Sequence, residues 1–425
     1  MSLASQIEGG SGEIKQAQPD GLADSLIRVN GLSYRMPSNM SVVVSRNMKR
    51  SFANLDSYKS GGKVIITWNS GSEYVSGLNS YLTFDAKTVG AGSTGSLGSG
   101  SAINFIESVT VNSLQGTEVD RVEGTNIYRR DVDRYTYSQD YINNVGSVMG
   151  YGSTERKADG TTEPVIISTV AQRFCIPLSK ICGLCNTSVL LPSMLAGGLR
   201  FEIKLAPLGT ALMGGVTPPT EYELTNVNMQ LDSYQMADSI QKRLMMEAAS
   251  TGLEFFYETY DRTRHNITGD KANITVRKAV SRALSAHAKT RLTANTADLT
   301  VDSMASETNK VKSMFWRLGS LNFPNSRLLS KVEQYYYAQY SFGKFVHPQN
   351  SNSISLTDFQ GTEGIVAATL ERSSVLSLSG LPVNNSRTLQ LELDYDDAAA
   401  PRDIDVFMNY LQLARVFPNN VLVKE

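Results

Sequence analysis

Short apolar alternations, separated by turn residues, run along most of this chain. KVIITW (Lys63–Trp68) lies between Gly61-Gly62 and Asn69-Ser70-Gly71. YLTFDAK (Tyr81–Lys87), NFIESVTVNS (Asn104–Ser113), FEIKLAP (Phe201–Pro207) and VNMQLDSY (Val227–Tyr234) repeat the pattern. In NFIESVTVNS the period of two puts Phe105, Val109 and Val111 on one side. Runs of this length and period predict half-buried strands. The second half continues with NITVRKAVSRALSAH, KVKSMFWRLGS, VLSLSG and TLQLELDY. DIDVFMNYLQLARVF closes it, with Ile404, Val406, Met408 and Tyr410 on one face and Phe407, Leu411 and Leu413 on the other. A strand apolar on both faces is expected between two packed layers.

Two stretches change period. Residues 123–150 place Ile127, Tyr128, Val132 and Tyr135 at helical spacing. Residues 326–343 do the same with Leu328, Leu329, Val332, Tyr335, Tyr336 and Tyr340. Each predicts one helix inserted among strands, the second capped by Asn325 or Ser326 and ended by Gly343. A tyrosine face this dense is expected to bury its rings. The two insertions stand about half the chain apart, which points to a duplicated domain. The fold class that follows is all-β, two β-sandwich domains in tandem, each with one short helix. The expected divisions are a flexible arm over 1–25, a first domain over 26–235, a linker over 236–270 and a second domain over 271–425. Gly9, Gly10, Gly12 and Gly21, with few apolar neighbours, mark the arm.

Composition adds exclusions. The 425 residues are 41% hydrophobic and 19% charged, with a formal net charge of -1. No bulk attraction to nucleic acid or an anionic membrane is expected, and no sequence-specific nucleic-acid partner. No apolar run is long enough to span a bilayer. The N-terminal residues lack a basic region followed by an apolar core, so no secretory leader is expected. With three cysteines and no leader, reduced thiols are expected.

Candidate chemistry is sparse. Cys182 and Cys185 form C-x-x-C with Cys175 nearby. A zinc site needs two more ligands, and His265, His287 and His347 are scattered. A redox reading needs a βαβ context that the pattern lacks. The cysteines are therefore expected to be packing residues. GAGSTGSLGSGS (Gly90–Ser101) has no following Lys-Ser/Thr and is expected to be a flexible surface loop, not a phosphate cradle. Asp394, Asp396, Asp397, Asp403 and Asp405 lack calcium-loop spacing and are expected in a solvated turn. YETYDRTRHN (Tyr257–Asn266) interleaves arginines and aromatics, which could touch nucleic acid but is expected to be a linker between the barrels. No catalytic residue, metal ligand or cofactor site is assigned.

Four stretches carry a family resemblance: Phe105–Tyr141, Phe174–Pro207, Phe315–Phe345 and Gly364–Phe417. The first resembles a strand, turn and helix of a first barrel, and the second a "strand-IPL, turn, LLP, strand" hairpin. The third resembles the second barrel's strand, FP turn and aromatic helix, and the fourth its closing strands. In this order they resemble the double jelly-roll major capsid proteins of adenovirus, tailless membrane-containing phages, virophages and Polinton-like viruses. The resemblance implies two eight-stranded jelly rolls. It also implies a hexon-like homotrimeric capsomer in the icosahedral shell of a DNA virus, and a virion location. Implied partners are neighbouring capsomers, minor capsid or penton proteins, and a possible internal membrane. Candidate assembly and packing residues are Tyr335, Tyr336, Tyr340, Phe407 and Tyr410. The competing readings are a jelly-roll carbohydrate-binding or adhesin protein, and a structural virion protein derived from a single jelly roll. A cupin-like enzyme would need clustered His and Glu ligands, which the three scattered histidines do not supply.

Overall fold

The computed structural model describes residues 43–68, 70–151, 166–167, 170–214, 217–296, 298–342, 353–372, 379–397, 400–418 and 420–424. The arm expected over 1–25, the boundary at 26, Gly343, His347 and most of VLSLSG lie outside them. Residues 44–425 make one compact unit.

Sixteen strands carry the architecture. The first eight are β1 (Val43–Phe52), β2 (Lys63–Thr67), β3 (Tyr74–Val89), β4 (Ile106–Asn112), β5 (Glu118–Glu123), β6 (Gln172–Pro177), β7 (Arg200–Leu205) and β8 (Glu221–Met236). They form two sheets, ordered β1-β8-β3-β6 and β2-β7-β4-β5. The second eight are β9 (Leu253–Ile267), β10 (Lys271–Val276), β11 (Val280–Leu292), β12 (Val311–Leu318), β13 (Leu321–Leu328), β14 (Val366–Thr369), β15 (Leu389–Tyr395) and β16 (Arg402–Phe417). Their sheets run β9-β16-β11-β14 and β10-β15-β12-β13. Adding eight to each strand number of the first pair of sheets gives the second pair. Each half is a jelly roll of two facing sheets with four principal strands each, extended by short edge strands, and one topology occurs twice.

The alternation explains the cores. In the first barrel Val64, Ile66, Val109, Val111, Phe201 and Ile203 face Leu82, Phe84, Phe174, Ile176, Tyr222 and Met229 across the gap between sheets. Val276, Met314, Trp316, Leu391, Ile404 and Met408 fill the second. The inserted helices occupy the same place in each barrel. Helix α1 (Thr125–Thr136) follows β5; helix α3 (Lys331–Ser341) follows β13, its counterpart. Helix α2 (Asp238–Ser250) joins the barrels.

Several expectations need correction. Residues 236–270 are not a linker: they hold α2 and the 15-residue strand β9, which pairs with β16 from Leu253↔Val416 to Ile267↔Arg402. Its arginines masked the alternation of Phe255, Tyr257 and Thr259, all buried. The first predicted helix ends at Thr136, and a short second helix starts after Ser138, which caps it. The second begins later than predicted. Residues Leu321–Leu328 are strand, and Ser330 caps α3 through a reciprocal capping box with Glu333. The Gly/Ser segment 90–101 packs instead of waving in solvent: Thr94–Ser96 is a strand, and Leu97 is in the core. Small residues let this backbone pass tightly under Leu212 and Thr88.

Candidate functional site

The face that joins the two barrels is where this chain concentrates its buried chemistry. Helix α1 and β5 of the first barrel lie on the outer face of the β9-β16-β11 sheet of the second. Strand β16 serves both sides. Ile404, Val406, Met408 and Tyr410 belong to the second core, while Phe407, Ala414 and Val416 join the cluster of the first.

Aromatic rings hold the centre of this seam. Tyr128 of α1 stacks on Tyr260 of β9, with centroids 3.6 Å apart and planes 13° from parallel. Phe407 lies 5.4 Å from Tyr128 and 5.1 Å from His287 of β11. Burial and neighbouring Lys289 push His287 down to about 3, so it is a neutral ring near neutral pH. Two glycines permit the close approach. A Cβ on Gly183 would lie 2.2 Å from the Glu258 carbonyl oxygen of β9. Gly124 caps α1 in the left-handed region at φ 66°, and a Cβ there would meet Arg262.

Ion pairs surround the rings. Lys289 Nζ is 2.6 Å from Asp131 Oδ1, and both side chains are essentially inaccessible. Arg130 of α1 donates to both Asp302 oxygens at 2.9 and 2.7 Å and to Glu363 at 3.0 Å. Tyr135 donates to the Glu363 carbonyl at 2.9 Å. Asp120 of β5 accepts from the Thr259 hydroxyl at 2.8 Å and from the Leu184 N–H at 3.0 Å. Asp405 is shared by Arg262 and Arg291, and Asp403 pairs with Arg264. The acidic cluster is not one solvated turn: Asp396 is exposed in the bend after β15, but Asp403 and Asp405 sit within β16 and are buried by arginines from both neighbouring strands. Arg262 and Arg264, read as linker residues, are their partners.

These carboxylates predict an acid response. Burial alone would raise Asp302, but Arg130 outweighs it and holds the group at about 2. Glu363 and Asp405 are likewise held low by arginines against burial. A depressed folded pKa stabilises above the unfolded value, near 4, and that stabilisation is lost as pH falls through the folded value. Asp131 and Asp120, raised by burial, act with the opposite sign. Comparing wild type with Asp302→Asn isolates one contribution. Between pH 4.5 and 2.5 the wild-type melting temperature is expected to fall more steeply than the variant's; parallel slopes would refute this.

The sequence-selected residues separate into three settings. Phe407 is wholly buried in the seam, and Tyr410 is buried in the second core. Tyr335 is half-buried, donates to the Ile354 carbonyl at 2.9 Å and meets Phe359 edge-on. Tyr336 and Tyr340 do not bury their rings: they are 47% and 36% exposed. The stripe turns outward because Gln334, Ala338 and Gln339 supply the inward face of α3. On the monomeric chain Tyr335→Ala is expected to cost about 2 kcal/mol and Tyr336→Ala at most ~0.5 kcal/mol, read by thermal unfolding. Cys182 and Cys185 are core residues of the first barrel, and the contact with Cys182, with burial, pushes the Cys185 thiol up. Among the described residues no group of three or more His, Cys, Asp or Glu is placed to hold a metal. The seam ion pairs escaped the sequence reading. The available signal was His287, Lys289 and Arg291 at a spacing of two, one face of a strand.

No family model and no curated protein sequence matches this chain. Solved structures do. A chain of the PBCV-1 virus capsid quasi-atomic model is similar at a TM-score of 0.62 and 12% identity, covering 92% of this chain and 98% of that one. The Faustovirus major capsid protein is similar at a TM-score of 0.59 and 8% identity, covering 90% and 92%. The mavirus major capsid protein is similar at 0.51 and 10%, covering 92% and 94%. At such identities the likeness is one of fold, and with the doubled strand order and the repeated helix it gives this chain the double jelly-roll fold of these viral capsid proteins.

Proposed function

We propose that this chain is the major capsid protein of an icosahedral virus, a building block whose work is assembly and not catalysis. The supporting observation is the pair of equivalent jelly rolls locked side by side by a buried seam. A subunit built this way offers two near-equivalent barrels, so three copies make a six-barrelled capsomer with a pseudo-hexagonal outline. Such an outline tiles a flat facet. Neighbouring capsomers are its main partners, with minor capsid or penton proteins and an internal membrane as further contacts; its location is the virion. The carbohydrate-binding alternative gains no support from the polar and ionic chemistry gathered here, which is spent inside the chain. Negative-stain imaging of the purified protein is expected to show pseudo-hexagonal particles or shell fragments. A population of isolated two-lobed monomers at high protein concentration would overturn the reading.

A further inference from the structure

Among the described residues two lysine–aspartate pairs are buried, and both aspartates belong to α1. Lys180 Nζ lies 2.7 Å from Asp133 Oδ2, and Lys289 Nζ lies 2.6 Å from Asp131 Oδ1. The two pairs differ in their surroundings. Asp133 Oδ2 also accepts from the Tyr151 hydroxyl, and the Lys180 ammonium stands 4.1 Å from the centre of the Tyr137 ring. A hydroxyl donor on the carboxylate and a ring face on the ammonium both stabilise the charged pair.

Asp131 lacks that support. Its Oδ2 is buried with no hydrogen-bond partner among the described residues. A carboxylate oxygen left without a donor penalises the anion and favours the neutral acid. Burial pushes the Asp131 carboxyl up, Lys289 and Arg130 pull it back, and Glu363 adds to the rise. The proton on Lys289 therefore has a competing site on Asp131, and transfer leaves a neutral amine facing a neutral acid. Geometry supplies the second condition. A nitrogen 2.6 Å from Oδ1 stands about 3–3.5 Å from Cγ at an ordinary hydrogen-bond angle, which is the separation of a near-attack pair. The Lys289 and Asp131 side chains are 0% and 2% exposed, so bulk water does not compete for either. Both backbones are held, Lys289 opposite Asp405 in the β11–β16 ladder and Asp131 in the middle of α1.

We propose that Lys289 and Asp131 condense into an amide, a covalent link between β11 of the second barrel and α1 of the first. The ion pair is the precursor. The ammonium passes one proton to Oδ1, the freed nitrogen lone pair attacks Cγ, and the Nζ–Cγ bond forms. A second nitrogen proton moves to Oδ1, the Cγ–Oδ1 bond breaks, and one water leaves. Oδ2 remains as the carbonyl oxygen of the amide. Atoms and charge balance, and no oxidant or other co-reactant enters. The link ties residues 158 apart in sequence and constrains the unfolded chain as a long-loop disulfide does. It does not depend on the shell-building reading.

The test is the intact mass of the purified full-length chain, followed during incubation at neutral pH. A species lighter than the sequence mass by one water is expected to grow until it is the main form. An aspartate cyclised to a succinimide loses the same mass, so tryptic peptide mapping decides between them. The amide gives one branched peptide that contains both Lys289 and Asp131, with no cleavage after Lys289. Lys289→Met should keep its full mass under the same incubation. A wild-type chain that keeps its full mass throughout overturns the proposal. So does a water loss without the branched peptide, a branched peptide joining Lys180 to Asp133 in its place, or the same water loss in Lys289→Met. The deciding measurements are made on the wild-type chain, so poor folding of the variant does not shield the proposal.

Discussion

Asp131→Ala is expected to destabilise the chain by about 3–5 kcal/mol, because it strands a buried ammonium. Lys289 Nζ sits 2.6 Å from Asp131 Oδ1 with no access to water for either side chain. In the variant Lys289 must lose its proton or draw water into the seam, and both cost free energy. The mirror change, Lys289→Met, should cost less, because Asp131, already raised by burial, can take up a proton. The double variant Asp131→Leu/Lys289→Met should recover most of the loss, since an apolar pair removes both desolvation penalties together. Denaturant unfolding of the three variants checks this ordering. Additive losses in the double variant would show that the two groups do not act as a pair.

Phe407→Ala is the second large effect, expected at about 3–5 kcal/mol. The ring is fully buried and touches Tyr128, Tyr260 and His287, which come from three different elements. Its removal leaves a cavity that neither barrel can fill alone, because the walls belong to both. Tyr410→Ala, three residues on and facing the second core, should cost a similar amount with a different signature. Phe407→Ala should loosen the barrels from one another and expose α1 to proteolysis near Arg129 and Arg130. Tyr410→Ala should leave that segment protected. Limited trypsin digestion separates them, and equal protection in both variants would argue against the seam placement.

How far the sequence carried this fold follows from what periodicity reports. Alternation in KVIITW, FEIKLAP and TLQLELDY located β2, β7 and β15, because each has one face on a core and the other turned away. In β16 both faces are apolar, and the expectation of a layer on each side matches its place between the two cores. Polar faces were harder. His287, Lys289 and Arg291 alternate with Ala286, Ala288 and Thr290, a pattern identical to that of a solvated strand. That the polar side is covered by α1 depends on Asp131, more than 150 residues away, and no local signal encodes it. Strand β9 was missed for the same reason. Its arginines look exposed until Asp403 and Asp405 are placed beside them. Tyr336 erred the other way, since an aromatic stripe records that something apolar is to be covered but not whether the cover lies in the same chain.

The position of β16 in the chain has a consequence for synthesis. It is the last of the sixteen strands, yet it is central to its sheet and carries Phe407, the ring that meets Tyr128. Helix α1 leaves the ribosome some 270 residues before Phe407 does. At ordinary elongation rates, of ~5–20 residues per second, that gap lasts on the order of tens of seconds. Throughout it the sheet that covers the helix face bearing Tyr128 and Asp131 lacks its central strand. Until β16 arrives, what keeps this face in water is the density of charge on α1, with Arg129, Arg130, Asp131, Asp133 and Arg134 among its twelve residues.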